Sequence, residues 1–568
     1  MVNCTARSLH SLRNSLLRTI FALIVLITLL LLAKTFNTYA FSVTTAVLVG
    51  NEAPSFTVQP FEDPTSSSTT PTNVGSNTTF KATGVDTNED NYYLIICSTD
   101  SVTPVNNSAP TCGATTWCTS SSTLSGVQAT CSRTALIGDS TSNVWYAFVC
   151  DSNSSAQCSS SSQGSGDSGS PFVVNHAPTF SAVSNDGSGV NPGGTVTWST
   201  TASDTDSDTI KLLVCKTTGI TGDTCDGGAS DTWCSSSFVA SDPTCQYSVT
   251  SVYPDDIYSA YVYIVDEHNF PATGIYQGSN VSFTVNNVAP TLSALTINGG
   301  SHIDLLESTT KAVILTATVT DNNSCYGGEI DSVIGYVYRS SIGYTGCDTL
   351  GEANSNYCYP EVTCTVVGGS CTDITDGSAN YTCTVNIQYY ADPTDINTQY
   401  PTDTWLNTIT VIDDDALDST QEIGTGVEMN SLTAFSVTNS INFGSLAVEQ
   451  SNDPLDKITT TTPTGNVGLD QEVSGSANMC TDYPTCAVGT PIAVTYQKYS
   501  LTSLTSYASG AVLSTTPVET ELNVPKVING TPVTKNTWWG ILIPTGTLPG
   551  AYSGANILTA IKGEILEW

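Results

Sequence analysis

Basic side chains are scarce in this sequence. Its 568 residues hold 15 lysines and arginines against 51 aspartates and glutamates, a formal charge of −36. A surface short of bases repels nucleic acid and anionic lipid and collects cations, so nucleic-acid partners are excluded. Histidine is nearly absent as well, with only His10, His176, His268 and His302. No C-x-x-C pair occurs, which together with so few histidines argues against a zinc site. No stretch after Ala40 keeps a helical period, so the chain after residue 40 is expected to be all-β, and no sorting signal or membrane span is expected in "KGEILEW" (562–568).

What is present begins with a leader. Arg7, His10, Arg13 and Arg18 precede an apolar run over residues 20–33 and then Thr38-Tyr39-Ala40, the order of an export signal cut after Ala40. An uncut anchor is the alternative, but fourteen residues ended by Lys34 fall short of the roughly 20 that span a bilayer. Four of the fifteen bases lie in this segment, leaving eleven against 51 acids and a charge of −40.

Apart from Cys4 in the leader, eighteen cysteines fall into even groups. They are Cys97, Cys112, Cys118, Cys131, Cys150 and Cys158; Cys215, Cys225, Cys234 and Cys245; Cys325, Cys347, Cys358, Cys364, Cys371 and Cys383; and Cys480 with Cys486. Even groups in an exported chain imply disulfides closed within each group in an oxidising compartment.

A phrase recurs at Asn51-Glu-Ala-Pro, Asn175-His-Ala-Pro and Asn287-Val-Ala-Pro, each after an alternating β-like run. Proline fixes φ and cannot extend a ladder, so the phrase marks joints between sandwiches at 41–175, 176–287, 288–430 and 431–568. The first two units align further: "DTNEDNYYLIIC" with "DTDSDTIKLLVC", "TTWC" with "DTWC", and "WYAFVCD" with "YVYIVDE". Cys150 and Cys158 lack counterparts together in the second unit and are expected to bond each other. The other four in each unit allow three pairings. The segment "FSVTTAVLVG" (41–50) is expected to pair with its own first sandwich or to add to the sheet edge of a neighbouring molecule. Of adjacent Trp538 and Trp539, only one can enter a core.

"GDSGS" (166–170) resembles the nucleophile loop of trypsin-like proteases, but the only histidine upstream is His10 in the leader, and a Ser/Gly-rich loop produces such strings. His176, His268 and His302 are expected as surface residues. Nothing places two carboxylates across a cleft as a glycosidase needs, so no enzyme is expected. In contrast, Asp204, Asp206 and Asp208 sit two apart, matching Asp86, Asn88 and Asp90, with Asp321, Asn322 and Asn323 similar in kind. Clustered carboxylates repel unless solvent or a hard cation relieves them, and calcium takes about six to eight oxygens. Asp86, Asp90, Asp204, Asp206 and Asp208 are candidate calcium ligands, with solvated turns as the alternative.

Tandem units with this joint, with "VTDNNSC" (319–325), "QYYADPTD" (388–395), "NVGLD" (466–470) and "NTWWGILIPTGTLPGAYSG" (536–554), resemble large exported surface proteins of prokaryotes built from immunoglobulin-like and cadherin-like sandwiches. The resemblance implies tandem immunoglobulin-like domains after a signal helix, forming a rod on the order of 140 Å. It also implies a structural role at the cell surface, in a surface layer or stalk, with self-association or other surface proteins as partners. An adhesin binding glycan or protein is the alternative. Cadherin holds calcium at such joints, although His176 and Val288 stand where cadherin has acids.

Overall fold

The computed structural model describes residues 19–28, 46–164, 170–186 and 189–568. Residues 19–28, within the segment expected to be a leader, are helical. The rest of that segment, the expected cleavage position at Ala40 and the serine string at 166–169 lie outside the described residues. Among the described residues no helix is long and apolar enough to cross a membrane. Contacts divide the chain into two compact units, Met1–Val173 and Val174–Trp568.

The first unit is built on β1 (Ser55–Asp63), β2 (Asn77–Val85), β3 (Tyr92–Cys97), β4 (Thr116–Thr119), β5 (Gln128–Thr134) and β6 (Tyr146–Asp151), followed by β7 (Phe172–Asn175). One sheet has the order β1-β2-β5 and the facing sheet β6-β3-β4, all antiparallel. Residues 46–50 form no strand, and Val47, Leu48 and Val49 are 78, 98 and 74% exposed. This part of "FSVTTAVLVG" therefore does not pair with its own sandwich.

The second unit repeats the plan. β8 (Thr179–Asn185), β9 (Thr195–Ser203), β10 (Ile210–Cys215), β11 (Thr232–Ser235), β12 (Thr244–Ser248), β13 (Tyr261–Asp266) and β14 (Ser279–Asn280) give sheets β8-β9-β12 and β11-β10-β13-β14, with β15 (Phe283–Val285) leading to the next joint. A third set follows: β16 (Thr291–Ile297), β17 (Thr310–Thr320), β18 (Ile330–Arg339), β19 (Cys358–Val366), β20 (Ser378–Gln388), β21 (Trp405–Asp413) and β22 (Asp418–Glu422). Here β19 pairs with both β18 and β20, so seven strands run as one sheet, β16-β17-β20-β19-β18-β21-β22. The last set is β23 (Phe435–Val437), β24 (Lys457–Pro463), β25 (Leu469–Gly475), β26 (Gln497–Ser500), β27 (Ala511–Val512), β28 (Val518–Val524), β29 (Lys535–Ile541) and β30 (Asn556–Lys562). Its sheets are β23-β24-β29-β26-β27 and β28-β25-β30.

The residue pattern explains these layers. In β2 and β9 every second residue is buried, including Phe80, Ala82, Val196 and Trp198, as a strand with one face on a core requires. The runs "LIIC" and "LLVC" of β3 and β10 are instead buried on both faces. The Ser/Thr/Gly-rich excursions fold over their outer sides and are stapled there. Cys97–Cys112 and Cys150–Cys158 pack with Ile95 and Phe148, and Cys215–Cys225 packs with Leu213, Tyr263 and Val265. Cys347–Cys358 covers Tyr336 and Tyr338 in the third set. Loops of this composition bury too little apolar surface to offset their ordering entropy, and the bridges supply the difference.

A second staple recurs between facing sheets. Cys118–Cys131 joins β4 to β5 and Cys234–Cys245 joins β11 to β12, whereas Cys364–Cys383 bridges β19 and β20, register partners on neighbouring strands of one sheet. Cys325–Cys371 and Cys480–Cys486 complete nine bridges. Non-reducing peptide mapping is expected to return these nine pairs; a bridge between two of the groups, or a free thiol among the eighteen, contradicts the assignment. In β29, Trp539 is buried and its indole N–H donates to Thr459 Oγ1 at 2.9 Å, while Trp538 is half-buried on the opposite face.

Within Val174–Trp568 the sandwiches are not free beads. Asn356 Nδ2 donates to Val527 O at 3.0 Å and its Oδ1 accepts from Asn529 N at 2.9 Å, tying the third set to the last. Asp392 takes charge-assisted hydrogen bonds from Arg339 of the third set and Lys526 of the last.

Candidate functional site

Each Asn-x-Ala-Pro joint enters its sandwich through the same three hydrogen bonds. At the first, Asn51 Nδ2 donates to Asp151 Oδ2 (2.8 Å), Glu52 N to Asn88 Oδ1 (2.9 Å) and Asn88 N to Asp86 Oδ1 (2.7 Å). At the second, Asn175 Nδ2 donates to Asp266 Oδ2 (2.9 Å), His176 N to Asp206 Oδ2 (2.6 Å) and Asp206 N to Asp204 Oδ1 (2.7 Å). At the third, Asn287 Nδ2 donates to Asp413 Oδ2 (3.1 Å), Val288 N to Asn323 Oδ1 (2.7 Å) and Asn323 N to Asp321 Oδ1 (2.7 Å). The last sandwich keeps one of them without the proline phrase: Leu432 N donates to the buried Asn466 Oδ1 at 2.6 Å.

The aspartate that opens each loop spends one oxygen on this turn. The other oxygen, Oδ2 of Asp86, Asp204 and Asp321, is buried without a hydrogen-bond partner. A buried carboxylate oxygen left bare costs stability unless it carries a proton or meets a cation.

The surroundings of these oxygens differ. Asp86 and Asp90 do not join any group of three acidic or histidine ligands among the described residues, and Asp90 Oδ2 accepts from Asn153 Nδ2 at 2.6 Å. Asp204, Asp206 and Asp208 do converge, with ligand oxygens within 4.8 Å of one another, and Asp208 also meets Glu267 and His268. Burial and the neighbouring Asp208 and Asp206 charges push Asp204 up to about 6. Two histidines temper this site. His176 Nδ1 lies 3.0 Å from both oxygens of Asp206, and His268 Nε2 lies 3.6 Å from Asp208 Oδ2. Their side chains are only 14 and 12% exposed, so these two are not the surface residues expected from sequence.

The third joint is the most acidic. Asp255, Glu329 and Asp414 bring carboxylate oxygens within 4.8 Å, beside the buried Asp321 and Asp413. Asp255 comes from the loop after β12, Glu329 immediately precedes β18, and Asp414 immediately follows β21, so the site lies where the second and third sandwiches meet. Asn323 Nδ2 donates across the same seam to Tyr253 O at 3.3 Å, and a Cβ on Gly377 would come within 2.6 Å of Val252. Among the described residues no lysine, arginine or histidine forms an ion pair with these five acids. Burial, then Asp414 and Asp255, push Glu329 up to about 8; burial, then Asp413, Asp255 and Asp414, push Asp321 up to about 6. Carboxylates so placed share protons or hold a hard, oxygen-seeking cation.

Of these acids, Asp151, Asp266 and Asp413 could have been read from the sequence, since "FVCD", "YIVD" and "TVID" all end a strand in aspartate. Asp255, Glu329 and Asp414 carried no such signal; only packing of one sandwich on the next brings them together.

No family model and no curated protein matches the chain. The solved structures to which it is similar include two chains, each a marsupial T cell receptor. One is 11% identical over 65% of this chain and 99% of that chain, with a TM-score of 0.27; the other is 12% identical over 65% and 100%, with a TM-score of 0.16. The strand order itself defines the class. In each of the first two sandwiches, three strands (first, second and fifth) face the third, its hairpin partner and the sixth, which is the arrangement of immunoglobulin-like β-sandwiches, here two in tandem.

Proposed function

We propose that the chain is a non-catalytic structural protein of the cell exterior, a component of a surface layer or stalk whose joints are set by divalent cations. The observation that carries this reading is the recurrence, at three joints, of one hydrogen-bonded turn with one bare buried carboxylate oxygen. Repetition at joints, rather than in one cleft, suits a part that transmits geometry along a chain. Nine disulfides suit an extracellular or secreted setting. At the third joint Asp255, Glu329 and Asp414 would supply the charged ligands and Asp321 Oδ2 a further oxygen. At the second, Asp204, Asp206 and Asp208 would do so.

Electron tomography of producing cells carrying labelled protein tests the role. Regular surface density that disperses on calcium chelation is the expected result. Scattered, chelator-insensitive label that binds a foreign glycan or protein surface would favour an adhesin instead.

A further inference from the structure

The last sandwich holds an acidic cluster unrelated to any joint. In β25, Leu469 pairs with Val524 of β28 and Gln471 pairs with Thr520, so between them Asp470 faces three residues, Glu521, Leu522 and Asn523. This bulge bends β28, and Asn523 adopts a left-handed φ of 56°. On the other side β25 pairs with β30, and the chain continues through Gly563 to Glu564. Three separate elements thus deliver Asp470, Glu521 and Glu564, whose carboxylate oxygens lie within 4.8 Å of one another.

The environment of Asp470 points to a ligand. Its side chain is 1% exposed; Oδ1 accepts from Asn523 N at 2.8 Å, and Oδ2 has no hydrogen-bond partner. Asn523 Oδ1 is likewise buried and unpartnered. A Cβ at position 563 would stand 3.2 Å from Asp470 Oδ2, so glycine there keeps the approach to that oxygen open. Among the described residues no lysine, arginine or histidine forms an ion pair with the three acids. Burial and the Glu564 charge raise the Asp470 carboxyl, and the Glu564 and Asp470 charges raise Glu521, so the group is self-repelling as it stands.

We infer that Asp470, Glu521 and Glu564 hold a divalent cation of the calcium class, with Asn523 Oδ1 as a neutral ligand. Three carboxylates and an amide oxygen, without nitrogen or sulfur donors, match a hard cation that takes oxygen ligands and completes its shell with water. The bound ion would tie the segment after β30 to the bulge of β28. This site does not depend on the joints, and its test separates the two.

Trp568 provides a local reporter, because its indole N–H donates to Gly563 O at 3.1 Å, one residue before Glu564. Terbium(III) emission excited through tryptophan, measured on the full chain and on Trp568→Phe, isolates the component arising here, and calcium is then titrated as competitor. Calorimetric counting of calcium on the same proteins gives the stoichiometry. The expected result is a Trp568-dependent emission displaced by calcium. Glu521→Gln/Glu564→Gln, two exposed positions whose change leaves the core intact, should weaken it by about tenfold or more and lose one calcium equivalent. Glu329→Gln/Asp414→Asn, at the third joint, should leave that component unchanged. Emission and stoichiometry unaffected by Glu521→Gln/Glu564→Gln overturn the site, whatever the joint variant does.

Discussion

Replacing Asp392 by alanine is expected to cost about 3–5 kcal/mol of folding stability, the loss that follows when a buried ion pair is broken from one side. Asp392 Oδ2 accepts from Arg339 Nε at 3.1 Å and its other oxygen from Lys526 Nζ. The three side chains are 4, 6 and 6% exposed. Arg339 is further fixed by Asp403 and by the Tyr400 ring, 3.4 Å from its guanidinium carbon. Alanine would leave two cations in a low-dielectric seam, and Lys526, already pushed down by burial, would lose the charge that holds it ionised. Arg339 ends β18 and Lys526 follows β28, so the loss falls on the seam between the third and last sandwiches. The double variant Asp392→Leu/Lys526→Met removes both charges and leaves Arg339 with Asp403, and it is expected to cost much less than the single change. Denaturant midpoints of the three proteins check this, and a single-variant loss under about 1 kcal/mol would show that the network is not desolvated.

The second large effect is expected from Cys234→Ala/Cys245→Ala, at about 2–5 kcal/mol. The bridge spans 11 residues of sequence and joins the two facing sheets of the second sandwich. Both cysteines belong to the core that contains Trp198, Trp233 and Phe283, so the double change removes sulfur from a packed interior as well as releasing the loop. Chain entropy alone gives the Cys480–Cys486 bridge, with a separation of 6, a smaller stabilisation, and Cys486 is half-buried outside the principal cores. Cys480→Ala/Cys486→Ala is therefore expected to lower the denaturant midpoint less. Equal losses from the two pairs would show that burial of the bridge contributes nothing.

Much of this fold was legible in the residues. Alternation in "NTTFKATGV" and "TVTWSTTAS" marks strands with one buried face, and the absence of a counterpart to Cys150 and Cys158 in the second unit marks them as partners. What was not legible depends on distant packing. Nothing in the sequence shows that "LIIC" and "LLVC" are covered on both faces by their own excursions, or which of three pairings the remaining cysteines adopt. The carboxylate sites divide in the same way. Asp204, Asp206 and Asp208 lie two apart in sequence and converge in space. Asp255 and Glu329 are brought together by a seam between sandwiches, Asp470 and Glu521 by a bulge, and neither arrangement leaves a local signature. A histidine in a turn usually faces water, which is why the sequence points His176 and His268 to the surface, whereas the acids of the joint draw both inward.

The proposal that cations set the joints is tested most directly by thermal melting with calcium or chelator across pH. Glu329, up at about 8 from an ordinary 4.5, and Asp321, up at about 6 from 3.8, bind protons more tightly in the folded chain. The stability contributed by their protonated forms is fully present below about pH 4 and is lost as pH rises through 6 and 8. Without metal, stability attributable to this site should fall over that window, and Glu329→Gln should flatten the fall. On this proposal calcium binds the ionised cluster, so the melting difference between calcium and chelator should be large at pH 8 and vanish near pH 5, with saturation at about a hundredfold excess over Kd adding about 2.7 kcal/mol per site. A melting temperature at pH 8 that ignores calcium, in the full chain and in Glu521→Gln/Glu564→Gln alike, would contradict it.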